Sequence, residues 1–388
     1  MPVDNRVALT PAQCRRLQKA HPQCRVVVES CAHRCYSDAE YMKAGVSVAT
    51  NLAQADILVG IKEVPIQALV SNKTYLFFSH TKKEQPHNQA LFQALIRNKN
   101  TIIDYECLAH EDGQRIIGFG FFAGIVGAHN GMMVYGHRTG AYNLGRVHQH
   151  KTLRKLVHTY FGLNLPNMKI VVTGSGRVAQ GVLEVMNLMQ IREVEKEEFL
   201  DHNFTYPVYV HLKGSDLYEH RHGRPYARSH FHQNPTEYKS RFVPYAHAAD
   251  VLMNGVYWDK DIPRLFEWED IGDKNFRLQV IADITDDEGG SVPINLGDGT
   301  IQNPVYGVDI STGTKTQPYL PSSIDVMAVG NLPNELARDA SRYFGEQLLK
   351  FVLPQLLSGG NKPLDEATML RNGELTEPFA YLKKYAGL

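Results

Sequence analysis

Apolar and polar positions along this chain follow two different periods, and the change from one to the other is sharpest near the middle. Ile170, Val171 and Val172 form a β-branched run, Gly174 and Gly176 follow, and Val178, Val182, Val185, Met186 and Met189 then recur at helical spacing. The pattern predicts strand, tight turn, helix. Nearer the start, Thr10-Pro11-Ala12-Gln13 predicts a helix with Thr10 as N-cap, Pro11 in the first helical position and Gln13 closing a capping box. Val26-Val27-Val28 predicts a strand. Ser37-Asp38-Ala39-Glu40 repeats the cap signal, and Gly45 ends that helix. Ala55 to Ile61 and Tyr75 to Phe78 read as buried strands, a helix follows from about Gln85 to Arg97, and Thr101 to Asp104 is strand again. Strands that are apolar on both faces and alternate with helices imply a parallel sheet covered on both sides.

From Phe119 to about Gly136 the chain is rich in Gly, Ala and Met, which suits a closely packed helix or a hinge. A second α/β unit opens at Lys169. Residues 202–249 hold seven histidines among many Tyr, Arg and Pro and show no clean period, so an insertion is expected there. Val251 to Asn254 and Leu278 to Ile284 are later strands of the same sheet, and helices from about Pro333 to Leu357 cross back to the first part. At 388 residues the chain exceeds one ordinary core. The expected organisation is an α/β fold of two domains, residues 1–130 with about 333–388, and residues 131–332.

Composition narrows the class. Hydrophobic residues at 43% and charged residues at 21% are those of a soluble globular protein. Lys+Arg and Asp+Glu are both 41, so nothing favours nucleic acid or an anionic membrane as partner. No apolar run reaches the length of a membrane span, and Met1 to Arg6 is not a signal peptide. Five cysteines, an odd number with no C-x-x-C, imply a reduced, cytoplasmic protein.

The glycine turn carries the first candidate chemistry. Gly174 can take the backbone angles of the turn, Gly176 leaves no Cβ between the main chain and a pyrophosphate, and Ala179 lets the helix sit close on the strand. The helix N-terminus then faces the phosphates. Glu195, about twenty residues on, completes a dinucleotide fingerprint. It would accept from a ribose 2′-OH and so favours NAD, whereas Arg192 and Lys196 beside it would accommodate the 2′-phosphate of NADP. Ligand groups in parallel sheets gather beyond the carboxyl ends of strands, where Lys62, His80, Glu106 and Asp283 fall. A lysine and a histidine at neighbouring strand ends could share proton traffic; singly, such a histidine is more often a satisfied structural residue and such a lysine is usually just solvated. Arg6 and Arg115 offer planar forks for carboxylates, with surface charge as the other reading. No metal is expected. The acidic run Asp283 to Gly290 lacks the spacing of a calcium loop, and the pairs His220/His222 and His230/His232 lack a third ligand, leaving a polar loop as the simpler reading.

Several motifs assemble into a family. Asn5-Arg6-Val7-Ala8-Leu9-Thr10-Pro11, Gly60-Ile61-Lys62-Glu63-Val64-Pro65 and Phe77-Phe78-Ser79-His80-Thr81-Lys82 resemble the alanine dehydrogenase, transhydrogenase and saccharopine dehydrogenase superfamily. Arg34-Cys35-Tyr36, Ile103-Asp104-Tyr105-Glu106, Gln114-Arg115-Ile116, His230-Phe231-His232-Gln233-Asn234-Pro235, Tyr257-Trp258 and Asn331-Leu332-Pro333 resemble its lysine–2-oxoglutarate reductase branch. The resemblance implies two Rossmann-like domains with parallel sheets and an interdomain cleft. It also implies reversible reductive condensation of an amine with a 2-oxo acid, L-lysine and 2-oxoglutarate in the saccharopine branch, using NAD or NADP. On this resemblance Lys62 and His80 are the acid/base pair, Glu63 and Glu106 moderate them, and Arg6 and Arg115 hold substrate carboxylates. Gly174, Gly176, Arg177, Val178, Glu195, Asn254, Tyr257, Asp283, Asn331 and Leu332 are the expected cofactor-binding positions. The expected partners are small molecules, an amino acid and a 2-oxo acid, with oligomeric state open. An alanine dehydrogenase using pyruvate and ammonia, and a non-catalytic nucleotide-binding protein like the soluble parts of transhydrogenase, are the alternatives. Two departures stand out. The Arg6 motif lies so near Met1-Pro2 that either the first sheet lacks a strand or the natural start lies upstream, and 135–166 matches the branch poorly.

Overall fold

A computed structural model describes residues 3–111, 113–297 and 299–388. Met1 and Pro2, on which the expected missing strand turns, lie outside the described residues. The chain divides into two compact units, residues 1–119 with 337–388, and residues 120–336.

In the first unit, Thr10 accepts from the Gln13 N–H and Gln13 returns the bond, starting the helix Pro11–Ala20. Ser37 and Glu40 cap Asp38–Lys43 in the same way, and Gly45, at φ +79°, ends it. Two short strands, β1 (Val27–Glu29) and β2 (Ser47–Ala49), pair in parallel as a sheet of their own beside Cys14, Tyr41 and Val46. The main sheet holds β3 (Ile57–Val59), β4 (Thr74–Phe77) and β5 (Thr101–Asp104), all parallel, with Leu76 opposite both Val59 and Ile103. Leu91, Phe92 and Leu95 of the helix Gln89–Arg97 pack on it with Tyr75, Phe77 and Ile102. Two late strands that periodicity does not announce extend the sheet: Thr368–Arg371 pairs antiparallel with β5, and Glu374–Leu375 pairs antiparallel with Thr368–Arg371.

The second unit opens with the glycine-rich segment, a continuous helix over Gly120–Thr139. Its eight-stranded sheet contains β6 (Lys169–Thr173), β7 (Arg192–Glu193), β8 (Val208–Leu212), β11 (Val251–Asn254), β12 (Val280–Asp283), β13 (Val305–Asp309), β14 (Lys315–Thr316) and β15 (Ser323–Met327) in the order β14-β13-β15-β12-β11-β6-β8-β7. The six strands from β15 to β7 are parallel, and β13 runs antiparallel at the other edge. The helices Gly120–Thr139 and Arg177–Leu188 meet closely because glycines face each other. A Cβ on Gly124 would lie 2.0 Å from the Val178 carbonyl oxygen, and one on Gly181 would lie 2.0 Å from that of Phe121. The fold is therefore α/β with parallel-rich sheets, as the alternation of periods predicts.

One expectation needs correction. Residues 202–249 are not an insertion throughout: they contain β8, a strand of the main sheet that pairs with both β6 and β7. The remainder forms an antiparallel pair, β9 (Tyr218–His220) with β10 (Tyr238–Ser240), and short helices. Leu217, Tyr218, Phe231, Tyr238, Phe242 and Tyr245 share one core with Val171 and Leu252, so the stretch is packed structure, not a polar loop. Its elements are only three to six residues long, too short to display a period.

Candidate functional site

In the first unit the polar groups collect at the carboxyl ends of β3, β4 and β5. Lys62 and Glu63 follow β3, His80 follows β4, and Glu106 follows β5. His80 sits at φ +49°, a left-handed conformation uncommon for a non-glycine residue. Contacts on either side hold it. The Ser79 N–H donates to Asp104 at 3.2 Å, Asn88 donates to the Ser79 carbonyl at 2.9 Å, and the Phe78 ring stacks on the imidazole. His80 Nδ1 lies 2.5 Å from Glu63 Oε1, which also accepts from Asn88 at 3.1 Å. Because Glu63 takes the proton on Nδ1, Nε2 is the nitrogen left for a reactant.

The electrostatics follow from that contact. The hydrogen bond to Glu63 holds His80 above its ordinary 6.5, against burial and the nearby Lys62 ammonium, with Glu106 adding to the rise. Burial is the largest single influence on Glu63 and would push it up, but the bond from His80, a backbone N–H, the imidazole's charge and the bond from Asn88 together bring the carboxyl down to about 2. Glu106 pairs with Arg115 at 2.6 Å, and its second oxygen, Oε2, is buried with no hydrogen-bond partner among the described residues. Arg6 is buried and its fork closes on Asp4, at 2.9 and 2.6 Å, while its face lies 4.2 Å from the Phe119 ring. Phe119 stacks on Phe344, and Phe344 in turn meets Phe78, so an aromatic column joins the Arg6 end of the cluster to the His80 end. Asp4 and Asn88 were not legible as site residues. Asp4's one signal is its place two residues before Arg6.

In the second unit the glycine turn ends β6. Gly174 lies at φ +103°, and a Cβ there would meet the Gly255 carbonyl oxygen at 2.5 Å, so only glycine fits. Gly176 has ordinary angles and open space where a Cβ would be. The N-cap residue of the twelve-residue helix Arg177–Leu188 is Gly176, which has no side chain to cap it, and a helix start of this kind favours an anion. Arg177 and Val178, half-buried, begin it. A turn open at Gly176, followed by an uncapped helix start, fits the pyrophosphate of a nicotinamide dinucleotide.

The other expected cofactor positions divide. Asn254 and Asp283 are fully buried and bonded into a ladder across three strand ends. Thr173 donates to Asn254 at 2.7 Å, Asn254 donates to Asp283 at 2.9 Å, and Thr285 and Asn295 donate to the same carboxylate at 2.7 and 2.8 Å. Burial holds Asp283 above the usual carboxylate range. The side chains of these two residues are bonded to one another and to the loops at the strand ends. Leu332 is also buried, Asn331 is half-buried, and Tyr257 is exposed with its hydroxyl 3.4 Å from Asp259. Glu195 is displaced from its expected place. β8, not β7, lies beside β6, so Glu195 stands past the outermost strand, exposed at the start of the helix Lys196–Asp201.

His220, His230 and Glu237 come within 4.8 Å of one another. The His222 N–H donates to His220 Nδ1 at 3.0 Å, which leaves the ring proton on Nε2, directed at Glu237 at 2.9 Å. A metal would need that same nitrogen's lone pair, so the cluster is best read as a hydrogen-bond network.

Comparison with known proteins gives a consistent picture. Residues 1–126 match the alanine dehydrogenase/PNT N-terminal domain family. The mitochondrial alpha-aminoadipic semialdehyde synthase of Rattus norvegicus is 28% identical over 98% of this chain and 46% of its own length. This chain thus spans about half of that relative. The saccharopine dehydrogenase [NAD(+), L-lysine-forming] of Yarrowia lipolytica is 23% identical over 91% of this chain and 89% of its own. Among solved structures, an L-alanine dehydrogenase superposes with a TM-score of 0.65 at 16% identity, covering 98% of this chain and 95% of that one. The transhydrogenase from Sinorhizobium meliloti gives 0.57 at 15%, covering 97% of each. At these identities the structural likeness concerns the fold.

Proposed function

We propose a function from this premise: the chain fits the superfamily of alanine dehydrogenases, transhydrogenases and saccharopine dehydrogenases, and it is a nicotinamide-dependent oxidoreductase acting on CH–NH or CH–NH2 donors. Its reaction is the reversible reductive condensation of L-lysine with 2-oxoglutarate to saccharopine. The observation that carries this reading is the His80–Glu63 contact at 2.5 Å, at strand ends shared with Lys62 and Glu106. Coverage of nearly the whole chain by saccharopine-pathway relatives supports the choice of substrates.

His80, with Nδ1 committed to Glu63, takes a proton at Nε2 from the attacking ammonium. Lys62 protonates the carbonyl oxygen as the amine adds and is recharged by the second nitrogen proton, and His80 returns its proton to the resulting hydroxyl, which leaves as water. Each such transfer typically contributes about 10²–10⁴ in rate. A guanidinium, Arg6 or Arg115, holds a substrate carboxylate; for Arg6 this means exchanging Asp4 for the substrate, two carboxylates competing for one fork. The bound dinucleotide supplies the hydride that reduces the imine.

One assay tests the proposal. NADH and NADPH oxidation are followed with 2-oxoglutarate plus lysine, and with pyruvate plus ammonia. Turnover with the first pair, lost by about 10²-fold or more in His80→Ala and Lys62→Ala, is the expected result. Turnover only with the second pair makes the protein an alanine dehydrogenase, and binding without turnover on either makes it a nucleotide-binding protein.

A further inference from the structure

The end of the second sheet away from the glycine turn carries a cavity that the proposed reaction does not use. Its volume is about 150 Å³, and its walls include Met168, Lys169, Asn203, Phe204, Tyr206 and Arg277. Lys169 opens β6 and the glycine turn closes it, so the five residues of the strand, at about 3.3 Å each, hold the cavity and the turn about 16 Å apart. Lys169 is only 8% exposed. Its ammonium lies 4.7 Å from the Phe199 ring and 5.9 Å from that of Phe204, and it donates to the His202 carbonyl at 3.2 Å. Among the described residues it enters no ion pair. Burial, and then the charge of Arg277, hold this ammonium below its ordinary range. The carboxylate beside the two cations is already committed. Asp250 Oδ1 meets Arg277 Nε at 3.0 Å and Nη2 at 2.9 Å, and Oδ2 accepts from the Lys169 backbone N–H at 2.8 Å. Asp201, the other carboxylate that Lys169 feels, is exposed.

We propose that this cavity binds a small oxyanion, the carboxylate of an organic acid or a phosphate, between the Lys169 ammonium and the Arg277 guanidinium. A buried ammonium with one acceptor for its three protons is costly, and a second cation beside it adds repulsion; an anion between them removes both penalties. The remaining polar groups on the wall are suited to donate. Arg192 donates to the Tyr206 hydroxyl at 3.3 Å, which frees the tyrosine proton for an acceptor in the cavity and brings a third positive charge near. Asn203, exposed on the rim, offers an amide. Phe204 and Met168 supply an apolar side for a short carbon skeleton. The space equals about five waters, enough for a small acid and too little for a dinucleotide. Both strands under the glycine turn begin here: Lys169 is in register with Val208, and the Val208 N–H donates to the Met168 carbonyl at 3.0 Å. The site is thus separate from the glycine turn and needs no assumption about the reaction.

The test is calorimetric titration of the full chain at low ionic strength with succinate, with inorganic phosphate and with neutral succinamide, for the wild type, Lys169→Met and Arg6→Gln. Methionine keeps an apolar stem over Phe199 and removes the charge, whereas Arg6→Gln removes a guanidinium of the first unit that could hold the same acids. The wild type is expected to bind succinate or phosphate at least about tenfold tighter than succinamide, and Lys169→Met to weaken that binding by about 10–100-fold, the loss of one charge-assisted contact. Arg6→Gln should change it by less than about threefold. Tighter succinate assigns the site to organic acids, and tighter phosphate assigns it to phosphate. A second readout uses the wild type alone: reductive methylation of Lys169, followed by peptide mass spectrometry, should slow by at least about threefold under the saturating anion. A wild type that binds neither anion, binding that survives Lys169→Met or is lost in Arg6→Gln, or methylation of Lys169 unchanged at saturation overturns the proposal.

Discussion

Replacing Glu63 with Gln isolates the contact on which the proposed chemistry depends. The carboxyl is brought from 4.5 to about 2, which at about 1.4 kcal/mol per pH unit corresponds to about 3 kcal/mol. That stabilisation is shared among His80, the backbone and Asn88. The imidazole is also 38% exposed, so solvent screening leaves about 1–2 kcal/mol for the His80 pair. Glutamine keeps an acceptor for the Nδ1 proton but removes the charge, so the His80 pKa should fall while the ring stays oriented. Condensation uses the neutral imidazole. In the wild type kcat/KM therefore rises as pH climbs through a His80 pKa above 6.5, and in Glu63→Gln the acid limb moves to lower pH. Lysine's own titration is common to both enzymes, so the difference between profiles reports His80. The assay is dinucleotide oxidation with 2-oxoglutarate and lysine across the neutral range. Superimposable acid limbs, with the variant folded and active, would refute the assignment of His80 as the base held by Glu63.

Three further outcomes are expected. Gly176→Ala, with open space for its Cβ, should leave unfolding in urea within about 0.5 kcal/mol of wild type yet weaken dinucleotide binding by about tenfold or more; Gly124→Ala, driven against a backbone carbonyl, should cost about 2 kcal/mol or more. Arg6→Lys keeps the charge but loses the planar fork, so KM for the 2-oxo acid should rise by about tenfold with the acid limb of the pH profile unmoved, and an unchanged KM would remove Arg6 from substrate binding. Burial brings His129 from 6.5 down to about 4. Its folded form resists a proton that the unfolded chain accepts, so its contribution is intact above 6.5 and declines by about 1.4 kcal/mol per pH unit between 6.5 and 4. His129→Gln should flatten that slope in urea unfolding, whatever it does to absolute stability.

Legibility followed physical range. The strand–turn–helix at Lys169–Leu188 and both capped helices of the first unit were readable because their determinants are local: a β-branched run, a glycine that must take positive φ, an oxygen three residues from the N–H it accepts. The strand-end positions of Lys62, His80 and Glu106 followed from the same patterns. What escaped depends on contacts distant in sequence. β7 is two residues long, and β8 sits among histidines and tyrosines that mask its alternation. The Asp4–Arg6 fork is close in sequence, but the Phe119–Phe344 stack beneath it joins residues far apart along the chain.

Neighbour relations within a sheet are the clearest case of information that periodicity omits. A pattern of apolar residues says that a strand exists and which faces it buries, yet β7 and β8 would carry the same pattern in either order, and the order decides which residues stand beside the glycine turn. The same gap explains Asn254 and Asp283. Their positions at strand ends were readable, but only the register that sets Thr173, Asn254 and Asp283 side by side shows that their polar groups satisfy one another. Buried and mutually bonded, they form a floor that fixes the loops above it.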